Sequence, residues 1–173
     1  MTVEDLQRLI RDIPDFPKPG ILFRDITPLL KDPAALRTVA RLLAEPLRAH
    51  RPRQVLGIES RGFILGPLVA LELDAGFVPM RKAGKLPWTT LKESYALEYG
   101  TDTVEMHADA VESGTTVVIV DDLIATGGTA VAAAKLAERA GARVAALSFL
   151  IELGALGGRE RLGARSVSSL IRY

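Results

Sequence analysis

Apolar and polar positions divide the chain into an irregular opening and a long regular remainder. From residue 55 onward short apolar runs alternate with helical stretches, predicting strands at 55–58, 77–80, 116–120 and 143–151 and helices at 63–73 and 129–140. The strand runs are rich in Val and Ile and do not alternate with polar residues, the pattern of strands covered on both faces. Their order is that of βαβ units, so the expected fold class is α/β, a mostly parallel central sheet flanked by helices. A last strand is expected at 166–171.

Before residue 55, Thr2 and Asp5 suit a capping box opening a helix over 3–12, and Asp32 followed by Pro33 opens a second helix reaching about residue 50. Between them, DFPKPGILFRDITP (15–28) carries Phe16 and Phe23 without a helical or strand period and reads as a cover over something. Residues 81–92, RKAGKLPWTTLK, hold Arg81, Lys82, Lys85 and Lys92 with no apolar period and read as a mobile loop. Residues 93–106 resume as a hairpin turning at Gly100. No repeat, low-complexity tract or linker interrupts the pattern, so residues 1–173 are expected to form one domain, with a hood in 1–30 and a loop and hairpin in 81–100.

Composition narrows the functions. A 48% hydrophobic, 25% charged chain suits a soluble domain with a sizeable core. With 22 Lys+Arg against 21 Asp+Glu the net charge is +1, too little for a broad field that grips nucleic acid, so any anion site has to be local. There is no apolar run of about 18 residues and no basic-then-apolar start, so neither a membrane span nor a signal peptide is expected, and the cytoplasm is the default. Without cysteine, a metal would have to sit on oxygen.

The chemistry concentrates in VVIVDDLIATGGT, residues 117–129. A strand delivers Ala125, Thr126, Gly127, Gly128 and Thr129 to the start of an alanine-rich helix. There backbone amides, the helix dipole and two hydroxyls converge on one concavity, which suits a phosphate. Glycine lets backbone approach the anion closely. Asp121 and Asp122 sit at the carboxyl end of the strand, where open α/β sheets bind ligands, and vicinal hydroxyls of a ribose, with Mg²⁺ nearby, are their natural partners. A bare Gly-Gly turn is also compatible with a tight turn and nothing more. The P-loop lysine and the GxGxxG spacing are absent.

These thirteen residues resemble the phosphoribosyl pyrophosphate motif of the type I phosphoribosyltransferases. The likeness extends through DFPKPGILFRDITPLLKDP, ESRGF, RKAGKLP, SYALEYG and IELGALGGRERL, and is with the adenine members of that family. It implies the type I fold with a small N-terminal hood and a mobile catalytic loop, conversion of adenine and phosphoribosyl pyrophosphate (PRPP) to AMP and pyrophosphate, and a homodimer. It also implies Mg²⁺ carried mainly by PRPP, with no direct protein ligand. Hypoxanthine-guanine relatives carry an aspartate where this chain has Ala125, so the proton is handled elsewhere, by the glutamate that maps onto Glu98. By the same resemblance Phe23 stacks on adenine with Leu153 on its other side, and Ile21, Leu22 and Arg24 border the base. Ser60 and Arg61 hold pyrophosphate on a turn that often contains a non-proline cis peptide, and Arg81, Lys82 and Lys85 add charge to it. Read without the resemblance, Glu98 and the basic loop are equally solvated charges, and Phe23 equally core. Two other functions share the motif: transfer to another base such as xanthine, and non-catalytic PRPP sensing by a regulator.

Overall fold

The computed structural model describes residues 1–96 and 100–173. Asp5 returns a carboxylate to the Thr2 amide at 2.9 Å while Thr2 Oγ1 accepts the Asp5 amide at 3.3 Å, and this capping box opens α1 (Val3–Arg8). The helix ends at Arg8 rather than at residue 12. Arg11 and Asp12 belong instead to β1 (Arg11–Pro14), which runs antiparallel to β2 (Leu22–Asp25). Each faces an opposite charge, Arg11 against Asp25 and Asp12 against Arg24, and both pairs form ion pairs. The cover expected to lack regular structure thus contains a strand and a short helix, α2 (Thr27–Leu30).

Asp32 Oδ1 accepts the amides of Ala34 and Ala35 at 2.8 and 2.9 Å and starts α3 (Pro33–Ala44). Past Ala44 the chain tightens into a 3-10 helix, Glu45–His50, because Pro46 has no N–H to continue the α ladder. The alternating pattern then unfolds as expected: β3 (Gln54–Ile58), α4 (Gly62–Glu72), β4 (Gly76–Lys82), β5 (Thr90–Ala96), β6 (Thr101–His107), β7 (Thr116–Ile124), α5 (Gly128–Arg139), β8 (Arg143–Glu152), α6 (Gly158–Arg161) and β9 (Ser166–Arg172). The large sheet has the order β5-β6-β4-β3-β7-β8-β9. Strands β4, β3, β7, β8 and β9 are parallel, and the β5–β6 hairpin, with Gly100 at φ 91°, adds antiparallel to β4.

The basic loop is shorter than its composition suggested. Arg81 and Lys82 end β4, and residues 90–92 begin β5, leaving only 83–89 as connector. Glu105, buried on β6, accepts the amides of Lys85 and Leu86 at 3.0 Å each and lies 3.5 Å from Lys92 Nζ. Burial alone would push this carboxyl up, but the connector amides and Lys92 outweigh it and hold it below the usual range.

Successive residues of β7 serve opposite layers. Val117 and Ile119 pack with Leu56, Phe149, Ala133 and Leu136 on the α5 side. Val118 and Val120 pack with Leu43, Leu65, Val69 and Leu150 on the side of α3 and α4. Both faces are covered, as its unbroken apolar run requires. Among the described residues no helix is long and apolar enough to cross a membrane.

The seam between β3 and α4 admits no side chain at Gly57. A Cβ there would meet the Gly62 carbonyl and the Phe77 ring, each at 2.6 Å. Gly57→Ala is therefore expected to lower the free energy of unfolding by about 3 kcal/mol in equilibrium urea denaturation, since backbone must move to admit the methyl. Gly76→Ala, whose nearest neighbour would be Gln54 Cγ at 3.6 Å, is the control and should change it by less than about 1 kcal/mol.

Candidate active site

Strands β3, β4, β7 and β8 all end at one edge of the sheet, and the residues that follow them assemble there. After β7 the chain turns through Ala125, Thr126 and Gly127, the last at φ 79°, a conformation glycine adopts without penalty. It enters α5 at Gly128. The first amides of this helix have no intrahelical acceptor and carry the positive end of its dipole. They face a cavity of about 150 Å³ lined by Asp121, Ala125, Thr126, Gly127, Gly128 and Thr129. This is a cradle for a phosphate-sized anion.

The cradle rests on backbone. A Cβ at Gly158 would lie 2.3 Å from the Ala125 carbonyl oxygen and 2.9 Å from the Gly127 amide nitrogen. Reciprocally, a Cβ at Gly127 would lie 2.5 Å from the Gly158 carbonyl oxygen. Gly158 begins α6, and its neighbour Arg159 grips Glu152 at the end of β8 through Nε at 3.0 Å and Nη2 at 2.5 Å. Ser169 on β9 adds a hydroxyl at 2.6 Å and Arg172 a charge at 3.7 Å. The Arg159 hydrogen bonds, against the opposing effect of burial, bring the Glu152 carboxyl down to about 2. Sequence reading singled out none of Gly158, Glu152 and Arg159, although all three lie in the stretch IELGALGGRERL.

The two acids of the motif remain in contact with each other, and Arg61 acts on both. Asp121 lines the cradle cavity. Burial first, then the adjacent Asp122, raises its carboxyl well above the usual range. Asp122 lies 2.6 Å from Arg61 Nε, and burial raises it too, against the pull of that guanidinium. Among the described residues no group of three or more His, Asp or Glu gathers as a metal site. A cation at this edge would find the Asp121 and Asp122 carboxyl oxygens and otherwise the oxygens of a ligand, a donor set suited to a hard ion brought in by a phosphorylated sugar.

The Glu59–Ser60 peptide is cis, as the resemblance implies, and leaves Ser60 exposed beyond β3. Glu59, not foreseen, organises the cations beside it. Its Oε2 accepts Arg81 Nε at 3.2 Å and the Lys82 amide at 3.0 Å, and the Arg81 Nη1 reaches the Lys85 carbonyl at 3.2 Å. The Lys82 ammonium stands 3.8 Å from Asp102, and the Lys85 side chain is exposed.

Arg61 also joins this edge to the hood, its guanidinium carbon 5.3 Å from the centre of the Phe23 ring. Phe23 is half-buried and meets Phe16 edge-on at 5.2 Å. Leu22 and Ile21 are exposed; the Ile21 amide and carbonyl are both engaged within the hood, with Lys18 and Phe16. Arg24 turns away from the cradle to Asp12 and stacks over Tyr173 at 3.6 Å. Leu153, directly after β8, is half-buried and held by its amide to the Ile124 carbonyl at 2.9 Å. Glu98, the expected proton-handling residue, lies outside the described residues.

Residues 25–171 match the family model described as the phosphoribosyl transferase domain. The chain is 61% identical over 157 residues to adenine phosphoribosyltransferase of Thermobifida fusca, covering 91% of this chain and 89% of that one. Among solved structures, adenine phosphoribosyltransferase from Rhodothermus marinus superposes with a TM-score of 0.94 at 56% identity, covering 99% of this chain and 98% of its own. The Saccharomyces cerevisiae adenine phosphoribosyltransferase, solved with adenine and an imino-altritol bisphosphate, superposes with a TM-score of 0.93 at 40% identity over 97% of each chain.

The Glu152 cluster makes a pH-dependent contribution to stability. Because the folded carboxyl titrates near 2 and an ordinary one near 4.5, its contribution is complete above about 4.5 and is lost as the pH falls toward 2. The parent is expected to exceed Glu152→Gln in unfolding free energy by on the order of 2 kcal/mol at neutral pH, with the difference closing over that acid window in parallel urea titrations.

Proposed function

This chain belongs to the phosphoribosyl transferase family, and we propose for it the reaction of the adenine phosphoribosyltransferases, in which adenine and PRPP become AMP and pyrophosphate in purine salvage. The observation that carries the reading is the intact anion cradle at the start of α5, in a chain that matches adenine-specific relatives over nearly its whole length.

In this reading the ribose 5′-phosphate occupies the cradle of Ala125, Thr126, Gly127, Gly128 and Thr129, and Asp121 takes the ribose hydroxyls. Ser60, Arg61, Arg81, Lys82 and Lys85 receive pyrophosphate and neutralise the charge that grows on it as the bond to the anomeric carbon breaks. Mg²⁺ bound with PRPP supplies further charge neutralisation on the same leaving group. Phe23 and Leu153 hold the adenine ring between them, and the backbone of Leu22 and Phe23 with the Arg24 segment borders its edge. Ile21 stands beside them with its own backbone groups taken up by the hood. Adenine offers a donating amino group and an accepting N1, a pattern that hypoxanthine reverses, so a fixed backbone edge discriminates the two. Glu98 takes the proton from adenine N7 as N9 attacks, and returns it in the reverse direction. Nothing covalent forms on the protein. The same reading assigns the chain to the cytoplasm, and to a homodimer, for which the apolar face of α4 that leaves Ile64 and Leu71 exposed gives support.

Steady-state turnover with PRPP and Mg²⁺ tests the assignment. Adenine is expected to be used with a kcat/KM exceeding those of hypoxanthine, guanine and xanthine by about three orders of magnitude, and PRPP binding without turnover would sink it. Glu98→Gln is expected to lower kcat about 100-fold; unchanged turnover would remove Glu98 from the proton step.

A further inference from the structure

A line of polar groups crosses the site from the cradle to the end of β4. Thr129 Oγ1 lies 3.1 Å from the Tyr95 hydroxyl, which lies 3.2 Å from Asp102 Oδ2, and Lys82 Nζ stands 3.8 Å from that same carboxylate oxygen. The other Asp102 oxygen accepts the Thr103 amide at 2.8 Å, which pins the carboxylate. Tyr95 stands on β5, Asp102 and Thr103 on β6, Thr129 in the first turn of α5 and Lys82 at the end of β4. The line therefore ties the phosphate cradle to the β5–β6 hairpin.

Proton count orders the line. An ionised carboxylate only accepts and a phenol has one proton, so Tyr95 donates to Asp102 and accepts from Thr129. Tyr95 remains a phenol, because burial pushes its ionisation above the ordinary range and Asp102 adds to that. The Thr129 proton thus points at Tyr95 and away from the cradle. A phosphate oxygen in the cradle offers a charged acceptor, and charge-assisted hydrogen bonds are roughly twice as strong as neutral ones. Once the Thr129 proton turns to the phosphate, Thr129 Oγ1 becomes an acceptor. The Tyr95 proton stays with the charged Asp102 oxygen, so the Thr129–Tyr95 hydrogen bond gives way and the hairpin loses its tie to α5.

We propose that Tyr95 is a positioning residue, through which a phosphate in the cradle sets the placement of the β5–β6 hairpin. In sequence Glu98, to which the proposed function gives the proton step, follows Tyr95 by three residues. The inference rests on the phosphoribosyltransferase reading for its ligand, and its geometry is independent of Glu98.

The test is hydrogen exchange of the full chain with and without ribose 5-phosphate, followed at the first turn of α5 and across residues 90–107. In the parent, ligand is expected to slow exchange at the first turn of α5 and to speed it about tenfold in the hairpin, the equivalent of one modest hydrogen bond lost there. In Tyr95→Phe the first turn of α5 should still be protected while the hairpin no longer responds. Asp102→Asn, which leaves the phenol in place and removes the charge it donates to, should halve the hairpin response or more, and it decides the matter if the Tyr95 variant fails to fold. A parent hairpin that ignores the ligand while α5 is protected would overturn the proposal, as would a full response in both variants. Lack of protection at α5 in the parent would instead strike the functional reading, and the proposal with it. In turnover with adenine, Tyr95→Phe should lower kcat about tenfold with KM for adenine unchanged, and cost less than about twofold in a Thr129→Val background. Equal losses in both backgrounds would show that Tyr95 acts otherwise than through Thr129.

Discussion

The site depends on one contact between two pieces of backbone. Gly158 lies so close beneath the turn from Ala125 to Gly127 that neither Gly127 nor Gly158 has room for a Cβ. A turn resting on another main chain has little freedom to relax, because peptide units do not change rotamer as side chains do. Preorganised amides are what an anion site needs, since donors already in position require no rearrangement when charge arrives. The height of that support is set from elsewhere: Arg159 ties α6 to Glu152 and Ser169, at the ends of β8 and within β9. The edge of the sheet farthest from the hairpin thus fixes the floor of the cradle, while Tyr95 and the hairpin reach it from the opposite side.

What could be read in the sequence was what local pattern dictates. The unbroken Val/Ile run of β7, the glycine turn and the alanine-rich α5 each carry their period or their conformational requirement in neighbouring residues. The capping box at Thr2 and the cap at Asp32 are equally local. The misreadings arise where partners are distant. Arg11 and Asp12 look like the last turn of a helix until Asp25 and Arg24 are brought opposite them. Glu105, between Val104 and Met106 on an edge hairpin, gives no sign in sequence that it is buried beneath the Lys85 and Leu86 amides. Glu59 and Glu152 are ordinary glutamates in sequence, and only the fold supplies Arg81 to one and Arg159 to the other. The roles assigned to Phe23, Leu153 and Glu98 came from resemblance, and no period or spacing in the chain would have produced them.

The charges at the site explain how a chain of net charge +1 accommodates a substrate as anionic as PRPP. Three of its cations already have carboxylate partners: Arg61 has Asp122, Arg81 has Glu59 and Lys82 has Asp102. Arg81 and Lys82 are partly exposed, and pairs of that kind contribute only about 0–1 kcal/mol, so little is lost when either cation turns to a new partner. Phosphate oxygens offer more charge and better geometry, and each charge-assisted hydrogen bond to them contributes about 1.5–3 kcal/mol. The carboxylates therefore hold the cations in place and offset their positive charge, without competing strongly against a phosphorylated ligand. The same argument separates Arg61 from the others. Its partner Asp122 is buried, and a buried carboxylate deprived of its cation is left uncompensated unless it takes up a proton or another cation. Its already raised titration makes the proton the easier course, and an ion brought in with the pyrophosphate would serve equally. In the proposed reaction, movement of Arg61 toward the leaving group would thus be coupled to the charge state of Asp122, whereas Arg81 and Lys82 would move without such a condition.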